Sequence, residues 1–383
     1  SIDCCVAYAA ERKLKIDIAA FSSRASDPFG FKYPISHFFT VGDYKDFYGK
    51  EYYSRIIQKK SVKNYLKKLN NDKRNSANLY LNYKKINNSN SNNIKIFNNL
   101  QKNMLIKQSK GLIKKILFLD HHTCHAYYAL YSLDRKLIEK NKFAVLTLDS
   151  IGDGSNQTFW IFDNKKNKLI NINRSSKSEL ARVYKMVTLI LSMKPDEHEY
   201  KVMGLAPYSK AKFAQDIYKK VFKNILTVKN CKIIHNKRPR DLYLYLEKNL
   251  KEFRFDNIAG AAQLFVEKIS SKLLGQIFSK YKIKHFAITG GVSLNIKMNK
   301  LLSELKFVKS IHVAPTGSDD SLSMGACYFL AKEKSKAFEN IYLGQNLFKN
   351  QKKISSYIKK YFGNNKFVVR KNISTKKIGE LLK

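Results

Sequence analysis

The sequence lacks several features that mark particular classes of protein. It contains no apolar run of about eighteen residues, and its first residues lack the layout of a signal peptide, so we expect a soluble cytoplasmic protein. The five cysteines form no CxxC pair, which argues against a disulfide framework or a zinc knuckle. Neither a Walker A loop nor a GxGxxG fingerprint is present. We therefore do not expect a membrane, secreted or dinucleotide-binding protein.

Acidic residues are also scarce, with 30 Asp and Glu against 72 Lys and Arg and a net charge of +42. A charge of this size ordinarily indicates nucleic acid or an anionic membrane surface as a partner. Here the lysines are spread through nearly every segment, and no known nucleic-acid-binding module accompanies them. We therefore expect a weak, salt-sensitive attraction to polyanions, with no membrane partner and no specific nucleic acid.

The chain nevertheless has the composition of a folded protein. Hydrophobic residues make up 44% and aromatic residues 13%, so the low hydrophobicity of disordered chains is absent. A length of 383 residues suffices for one large bilobal unit or two domains. The asparagine-rich segment at about residues 70–101 predicts a flexible surface insertion.

The stretch ILFLDHHTCHAYYALYSL carries the first candidate site. The apolar run Ile116–Leu119 predicts a buried strand, and Asp120 predicts the N-cap of the helix that follows. On that helix His121 and His125 share one face at the spacing that offers two imidazoles to one metal ion, whereas His122 points elsewhere. Histidines near a helix start also serve in capping or packing, so both interpretations stay open.

Two further carboxylates follow predicted strands. The strand Phe143–Leu148 ends at Asp149, and the chain returns as a hairpin strand over Thr158–Phe162 through a tip that contains glycine. A later strand within Lys306–Ala314 leads to Asp319, which precedes a helix of small residues. A carboxylate at such a turn can ligate a metal or cap a helix, and the local sequence leaves both roles open.

Another strand, His285–Thr289, leads into Gly290 and Gly291 and then into a helical stretch. In that layout free backbone N–H groups and the helix dipole can receive a phosphate. Upstream, we expect Pro195 to end a helix. The segment EYKVMGLAPY begins with the polar triplet Glu199, Tyr200 and Lys201. This triplet is compatible either with a binding segment or with the charged start of a helix.

Five segments together resemble the carbamoyltransferase family typified by the O-carbamoyltransferases of nodulation and antibiotic tailoring. They are DHHTCHAYYALY, VLTLDSIGDG, HEYKVMGLAPY, TGGVSLNIKMN and APTGSDDSLSMGA, in the family's order over roughly residues 115–330. The resemblance implies an α/β fold of the duplicated RNase H-like, actin-like type, with two lobes around a cleft. The strands ending at Asp149 and Gly290 would then be corresponding cleft-edge turns of the two lobes.

The resemblance also implies a metal site. His121, His125, Asp149 and Asp319 match the ligands of an iron(II)-type site, with Asp320 as the competitor for the fourth position. Asp149 and His125 are in addition the residues that it implies for catalysis. Two imidazoles with two carboxylates suit a borderline divalent ion but do not fix its identity. The resemblance implies Fe²⁺, with Mn²⁺ or Zn²⁺ as the alternatives.

Further residues match the family's nucleotide-holding segments. These residues are Gly290, Gly291, Asn295, Lys201 and Gly204. The implied reaction transfers a carbamoyl group from carbamoyl adenylate, made from carbamoyl phosphate and ATP, to a hydroxyl of a small-molecule or sugar acceptor. In it the metal polarises the carbamoyl carbonyl. Whether the protein forms a homodimer stays open.

The resemblance divides the chain at about residue 330. Residues 1–330 match the transfer domain, and residues 331–383 match a linker and the start of an activation domain. Relative to the family pattern both ends are shortened, so we expect that this polypeptide alone does not make carbamoyl adenylate. Two alternatives stay open, a tRNA threonylcarbamoyl-transfer protein and a non-catalytic basic relative that binds nucleic acid.

Overall fold

A computed structural model of the chain describes residues 2–24, 40–49, 90–109, 112–113 and 115–331, together with positions 337, 374, 377 and 380. The chain divides into two compact units, residues 1–338 and 339–383, and the elements below belong to the first. Within the described ranges, none of the helices combines the length and the hydropathy that a membrane span requires.

The described chain contains both helices and strands. The helices are α1 (Ile2–Glu11), α2 (Val41–Asp46), α3 (Asn90–Gln108), α4 (His121–Tyr131), α5 (Arg135–Lys140), α6 (Leu180–Ile190), α7 (Glu199–Leu205), α8 (Ala211–Ile217), α9 (Leu242–Leu250), α10 (Phe255–Tyr281), α11 (Ile296–Ser303) and α12 (Leu322–Ala331). The strands are β1 (Ile18–Phe21), β2 (Lys115–Phe118), β3 (Phe143–Gly152), β4 (Ser155–Asp163), β5 (Lys168–Ser175), β6 (Leu226–Lys229), β7 (Lys232–His235), β8 (His285–Thr289) and β9 (Ser310–Val313).

A five-stranded mixed sheet with the order β5-β4-β3-β8-β9 forms the centre of this unit. Strands β3, β4 and β5 form an antiparallel meander, whereas β8 pairs parallel with β3 and β9 pairs parallel with β8. The predicted α/β class is confirmed by this sheet and the helices packed on it, whereas the RNase H-like type of the lobe stays a prediction. Among the described residues no second sheet of this kind occurs, because β1 and β2 form a separate parallel pair. The duplication of the lobe stays a prediction.

The pairing of β3 with β8 corrects one expectation. The turns after these strands, at Asp149 and Gly290, were assigned to two different lobes, yet β3 and β8 are neighbours in one sheet, with Thr147 opposite Thr289. Both strands are continuous apolar runs, as is typical of central parallel strands, and such runs do not specify their partners. Past the last pair of the two strands, Thr147 with Thr289, the chain segments that contain Asp149 and Gly290 therefore emerge side by side at one edge of the sheet.

Alternate residues of β3 pack on opposite faces of the sheet. Leu146 and Leu148 join the larger core, to which α10 contributes many of its buried residues. Phe143 and Val145 join a second core together with residues of α4. Because successive side chains of a strand point to opposite faces, this one strand connects both helical layers. The helix that carries the histidines is thereby packed directly on the central sheet.

The sequence predicted that Pro195 ends a helix, and this prediction is wrong. Helix α6 ends earlier, at Ile190, where Ser192 takes a left-handed conformation with φ of 59°. The backbone N–H of Met193 then donates to the carbonyl of Thr188 at 3.0 Å. This hydrogen bond closes the last turn in the manner of a left-handed C-terminal cap, so no proline is needed to end the helix.

The asparagine-rich segment is described only in its second part. Residues 70–89 lie outside the described residues, whereas 90–101 form the beginning of α3 and are helical, not irregular. Further along this helix Leu105 is buried. Tertiary packing of this kind stabilises a helix whose asparagine content gives it little intrinsic propensity.

Candidate metal centre and adjoining cavity

Two carboxylates fix the N-terminus of α4, the helix that carries the histidines. The N-cap Asp120 accepts hydrogen bonds from the backbone N–H of Thr123 at 2.9 Å and from the guanidinium of Arg174 at 2.6 Å. Asp153, at the tip of the β3–β4 hairpin, accepts from the backbone N–H of His121 at 2.8 Å. The predicted cap at Asp120 is confirmed, and both carboxylates also suit the positive end of the helix dipole.

The structure brings the four predicted ligands together. Nε2 of His121 lies 3.0 Å from Oδ2 of Asp149 and 3.6 Å from Oδ1 of Asp319. Nε2 of His125 lies 3.5 Å from each of the same two oxygens. One ligand atom from each residue lies within 4.8 Å of the other three. Because metal–ligand bonds of about 2.1 Å place ligand atoms roughly 3 to 4 Å apart, these residues can share one ion.

The environment of His125 fits a bound metal. Its ring is fully buried, and neither ring nitrogen has a hydrogen-bond partner among the described residues. Nε2 faces the oxygens of Asp149 and Asp319 at 3.5 Å without the geometry of a hydrogen bond. An unpaired buried polar atom is costly, and an ion at Nε2 would remove that cost. The donor set of two imidazoles and two carboxylates suits a borderline divalent ion.

The charges of the centre favour the form of Asp149 that binds a cation. Burial raises the pKa of this carboxyl, but His121 and His125 outweigh burial and hold its pKa well below the usual value. Burial has the opposite effect on His125 and lowers the pKa of its imidazole. The carboxylates of Asp149 and Asp319 more than offset this effect, so the pKa of His125 lies above its usual value. Asp149 is therefore ionised in this environment.

Asp149 is also held in a fixed orientation. It lies where the register of β3 against β4 shifts, between Leu148 and Gly152. Its Oδ1 accepts from the backbone N–H of Ser150 at 2.7 Å and from that of Gly291 at 3.3 Å. These bonds leave Oδ2 facing the imidazoles, so both oxygens of this carboxylate are engaged.

His122 does not belong to the centre. Its Nε2 donates to the backbone carbonyl of Ser155 at 2.9 Å, so Nδ1 is the nitrogen that accepts from the hydroxyl of Thr147 at 2.6 Å. Burial lowers the pKa of His122 to about 4. A neutral His122 thus joins α4 to β3 and β4, and this role agrees with its predicted direction away from the other two histidines.

The two glycines after β8 make close contacts within the protein. Gly290 has φ of 90°, and a Cβ there would lie 2.3 Å from the carbonyl oxygen of Leu148, so both conformation and space require glycine. The N–H of Gly290 donates to the carbonyl of Gly317 at 2.8 Å, and that of Gly291 donates to Asp149. Both N–H groups that were expected to be free for a phosphate are therefore engaged.

A cavity of about 560 Å³ adjoins the centre, a size typical of small-molecule sites. Asp149 and Asp319 form part of its wall, so an ion held by the centre would border it. Helix α6, the first turn of α7 and the segment after β8 form other parts of the wall. The polar and aromatic wall residues beyond the centre include Tyr184, Lys185, Asp196, Glu197, Glu199, Tyr200, Asn295 and Asp320.

Of the predicted nucleotide-binding residues, some line the cavity and others do not. Gly291 and Asn295 line the cavity, but the side chain of Asn295 caps α11 by accepting from the N–H of Met298 at 2.9 Å. Its amide also donates to Gln263 at 2.9 Å. Lys201 and Gly204 are exposed and are not part of the cavity wall. The helical period of α7 turns these two positions away while it directs other residues of the same motif inward.

Sequence reasoning missed several residues of this region. The turn residue Asp153 was not connected with the helix that it caps, because the contact joins residues 32 positions apart. Lys185 and Asp196 were not singled out, and Glu199 was considered only as part of a helix start. The Asp-Gly pair at the hairpin tip is the one local signal that predicts a turn at Asp153.

Comparison with known proteins assigns the family. The family model described as carbamoyltransferase N-terminus matches residues 39–328. The chain belongs to this family. Its relatives include the uncharacterized protein MJ1058 of Methanocaldococcus jannaschii, 26% identical over 259 residues, which cover 62% of this chain and 41% of the relative. Nodulation protein NolNO of Sinorhizobium fredii is 24% identical over 244 residues, covering 61% of this chain and 34% of that protein. The chain thus spans less than half the length of these relatives.

Among solved structures, full-length HypF in its phosphate- and nucleotide-bound form resembles the chain with a TM-score of 0.41 and 13% identity, covering 66% of this chain and 43% of that one. Component A of the (R)-2-hydroxyglutaryl-CoA dehydratase of Acidaminococcus fermentans gives a TM-score of 0.33 and 16% identity, covering 58% and 71%. These values are too low to support any statement about the fold of this chain, and the α/β class rests on the sheet described above.

Proposed function

We propose that the chain transfers a carbamoyl group from carbamoyl adenylate to a hydroxyl of a small-molecule or sugar acceptor, in a reaction that depends on a divalent metal. The observation that supports this proposal is the convergence of four metal-ligand side chains at a cavity, in a member of the carbamoyltransferase family. ATP and carbamoyl phosphate are the proposed precursors of the adenylate. Fe²⁺ is the ion that we favour, ahead of Mn²⁺ and Zn²⁺.

In this proposal His121, His125, Asp149 and Asp319 hold the ion. A divalent ion in this position would act as a Lewis acid on the carbamoyl carbonyl and stabilise the negative charge that develops on its oxygen. Because both oxygens of Asp149 are already engaged, we assign it to holding the ion and not to moving the proton of the acceptor hydroxyl. His125, whose Nε2 lacks another partner, has the same role.

The cavity supplies the space for the two reactants. Its wall includes Gly291 and Asn295, so the adenylate is proposed to lie against the segment that follows β8. The acceptor is then left with the wall formed by α6 and the first turn of α7. Holding both molecules beside the ion would replace a bimolecular encounter by a reaction between oriented groups.

The test supplies carbamoyl adenylate directly to the anaerobically purified, Fe²⁺-loaded chain with a panel of sugars and polyols. We expect release of AMP together with a product that has gained one carbamoyl group, detected by mass spectrometry. Both signals should disappear in His125→Ala and persist in Glu252→Gln, a change at an exposed position outside the cavity. Equal product formation by the metal-free chain, or no product with any acceptor, would contradict the proposal.

A further inference from the structure

The wall of the cavity is acidic although the chain as a whole has a net charge of +42. Beyond the two metal ligands, the wall contains Asp196, Glu197, Glu199 and Asp320, with Lys185 as its basic residue. The ammonium of Lys185 donates to the carboxylate of Asp196 and is therefore already paired. The wall thus presents excess negative charge to whatever the cavity binds.

Glu199 differs from its acidic neighbours in its partners. Glu197 pairs with Lys194 at 2.6 Å and Asp196 pairs with Lys185, whereas Glu199 forms no ion pair in the part of the chain that the structure describes. Its Oε1 accepts the backbone N–H of Asp196 at 2.9 Å, and this bond fixes the carboxyl in the cavity wall.

The desolvation of Glu199 is only partly compensated. Burial raises the pKa of its carboxyl, since the backbone hydrogen bond and the nearby charge of Lys185 do not offset the loss of water. A positively charged group placed in the cavity beside this carboxyl would supply the missing compensation. A neutral hydroxyl would supply less of it, and an anionic group would add repulsion.

An aromatic side chain stands next to this carboxyl. Tyr200 lines the cavity and is 61% exposed, so its ring is available to a ligand. Lys201 lies 5.8 Å from the ring centroid, which shows that the ring already borders one cation. A carboxylate beside an exposed aromatic ring can bind an ammonium group and cover the apolar face of the molecule that carries it.

We propose that the acceptor carries a protonated amine, as an amino sugar does, and that Glu199 binds this amine while Tyr200 packs against the sugar ring. The proposal rests on the proposed carbamoyl transfer and names the acceptor class of that same site. Glu199 then determines acceptor specificity, in the same cavity whose wall contains Asp149 and Asp319.

The test measures binding, so that it does not require turnover. Isothermal titration calorimetry compares glucosamine, glucose and N-acetylglucosamine on the chain loaded with one equivalent of zinc or iron. We expect glucosamine to bind about tenfold more tightly than the two neutral sugars, because one charge-assisted contact distinguishes them. Glu199→Gln should remove this preference while the affinity for glucose and the metal content stay unchanged.

Two further variants complete the test. Glu252→Gln, the same substitution at an exposed position outside the cavity, should keep the preference. Tyr200→Ala should weaken the binding of all three sugars to a similar extent, since it removes the ring contact alone. Because Tyr200 is mainly exposed, this variant should fold like the wild type.

Three results would overturn the inference. They are equal binding of the three sugars by the wild type, a preference that survives in Glu199→Gln, and a second equivalent of divalent ion that Glu199→Gln loses. The last result would show that the carboxyl of Glu199 binds a divalent metal ion and not an amine. Absence of carbamoyl transfer by the same metal-loaded protein would contradict the proposed function without changing this binding result, so the two failures are distinguishable.

Discussion

The imidazole of His121 lies so close to Gly152 that a Cβ at position 152 would stand 2.1 Å from Cδ2 of the ring. The next residue, Asp153, accepts the backbone N–H of His121. The tip of the β3–β4 hairpin therefore holds both the ring and the backbone of a predicted metal ligand. Asp153 also accepts from the hydroxyl of Ser23 at 2.7 Å and from the N–H of Arg24 at 2.9 Å, which ties the segment after β1 to the same tip.

Gly152→Ala should displace the ring of His121 and lower the affinity for the metal by at least about tenfold, since residues that orient a ligand typically contribute 10- to 100-fold. Competition with a chromophoric chelator measures this affinity. The control is Gly275→Ala, because a Cβ at position 275 meets nothing within 4 Å. An unchanged metal affinity in Gly152→Ala would show that the ring does not occupy this position in the metal-bound protein.

Asp319 and Asp320 are adjacent but have different surroundings. Oδ1 of Asp319 faces both imidazoles, whereas Oδ2 of Asp320 accepts from the hydroxyl of Ser318 at 3.2 Å. We therefore expect Asp319→Asn to lose most of the bound metal and Asp320→Asn to keep it, as measured by metal analysis after anaerobic purification. The reverse pattern would assign the fourth ligand to Asp320.

Gly325 of α12 packs against the backbone of α4, and a Cβ there would lie 1.9 Å from the carbonyl oxygen of Cys124. Gly325→Ala should force the two helices apart and lower the free energy of unfolding by about 1 to 3 kcal/mol, the usual cost of overpacking. It should also weaken metal binding, because α4 carries the histidines and Asp319 precedes α12. Urea denaturation and chelator competition measure the two effects.

The matched change Gly275→Ala, in the interior of α10, should instead stabilise the protein by up to about 1 kcal/mol through helix propensity. If Gly325→Ala is equally stabilising, the close approach of α4 and α12 is absent in solution.

The sequence predicted those parts of the site that depend on local patterns. The cap at Asp120, the shared face of His121 and His125, and the bounds of β8 all follow from the spacing and type of neighbouring residues. The partner of β3 could not be predicted in this way, because an apolar strand pairs equally well with any similar strand. The contact of His121 with Gly152 and the lack of an ion pair at Glu199 among the described residues depend on tertiary packing. Local sequence patterns do not specify such packing.

His312 of β9 provides a test of the core by pH. Burial lowers the pKa of this imidazole from 6.5 to about 4, and its Nε2 lies 2.9 Å from the hydroxyl of Ser132. Because the unfolded chain binds this proton more readily, the stabilisation present above pH 6.5 is lost as the pH falls toward 4. The loss should amount to roughly 1 to 3 kcal/mol.

The comparison is the free energy of unfolding of the metal-free wild type and of His312→Gln between pH 7 and about pH 4. The wild type should lose more stability over this range than the variant, whose residue 312 does not titrate. Parallel pH profiles would contradict the assignment of a neutral, half-buried His312.

The metal content of the anaerobically purified protein, compared with that of His125→Ala, shows whether the four side chains form one metal site. The wild type should hold about one divalent ion per chain, because His121, His125, Asp149 and Asp319 supply four ligand atoms to a single position. His125→Ala removes one of these ligands from the buried side of the centre and should reduce the content to a small fraction of that value. The same low, sub-stoichiometric content in both proteins would contradict the account.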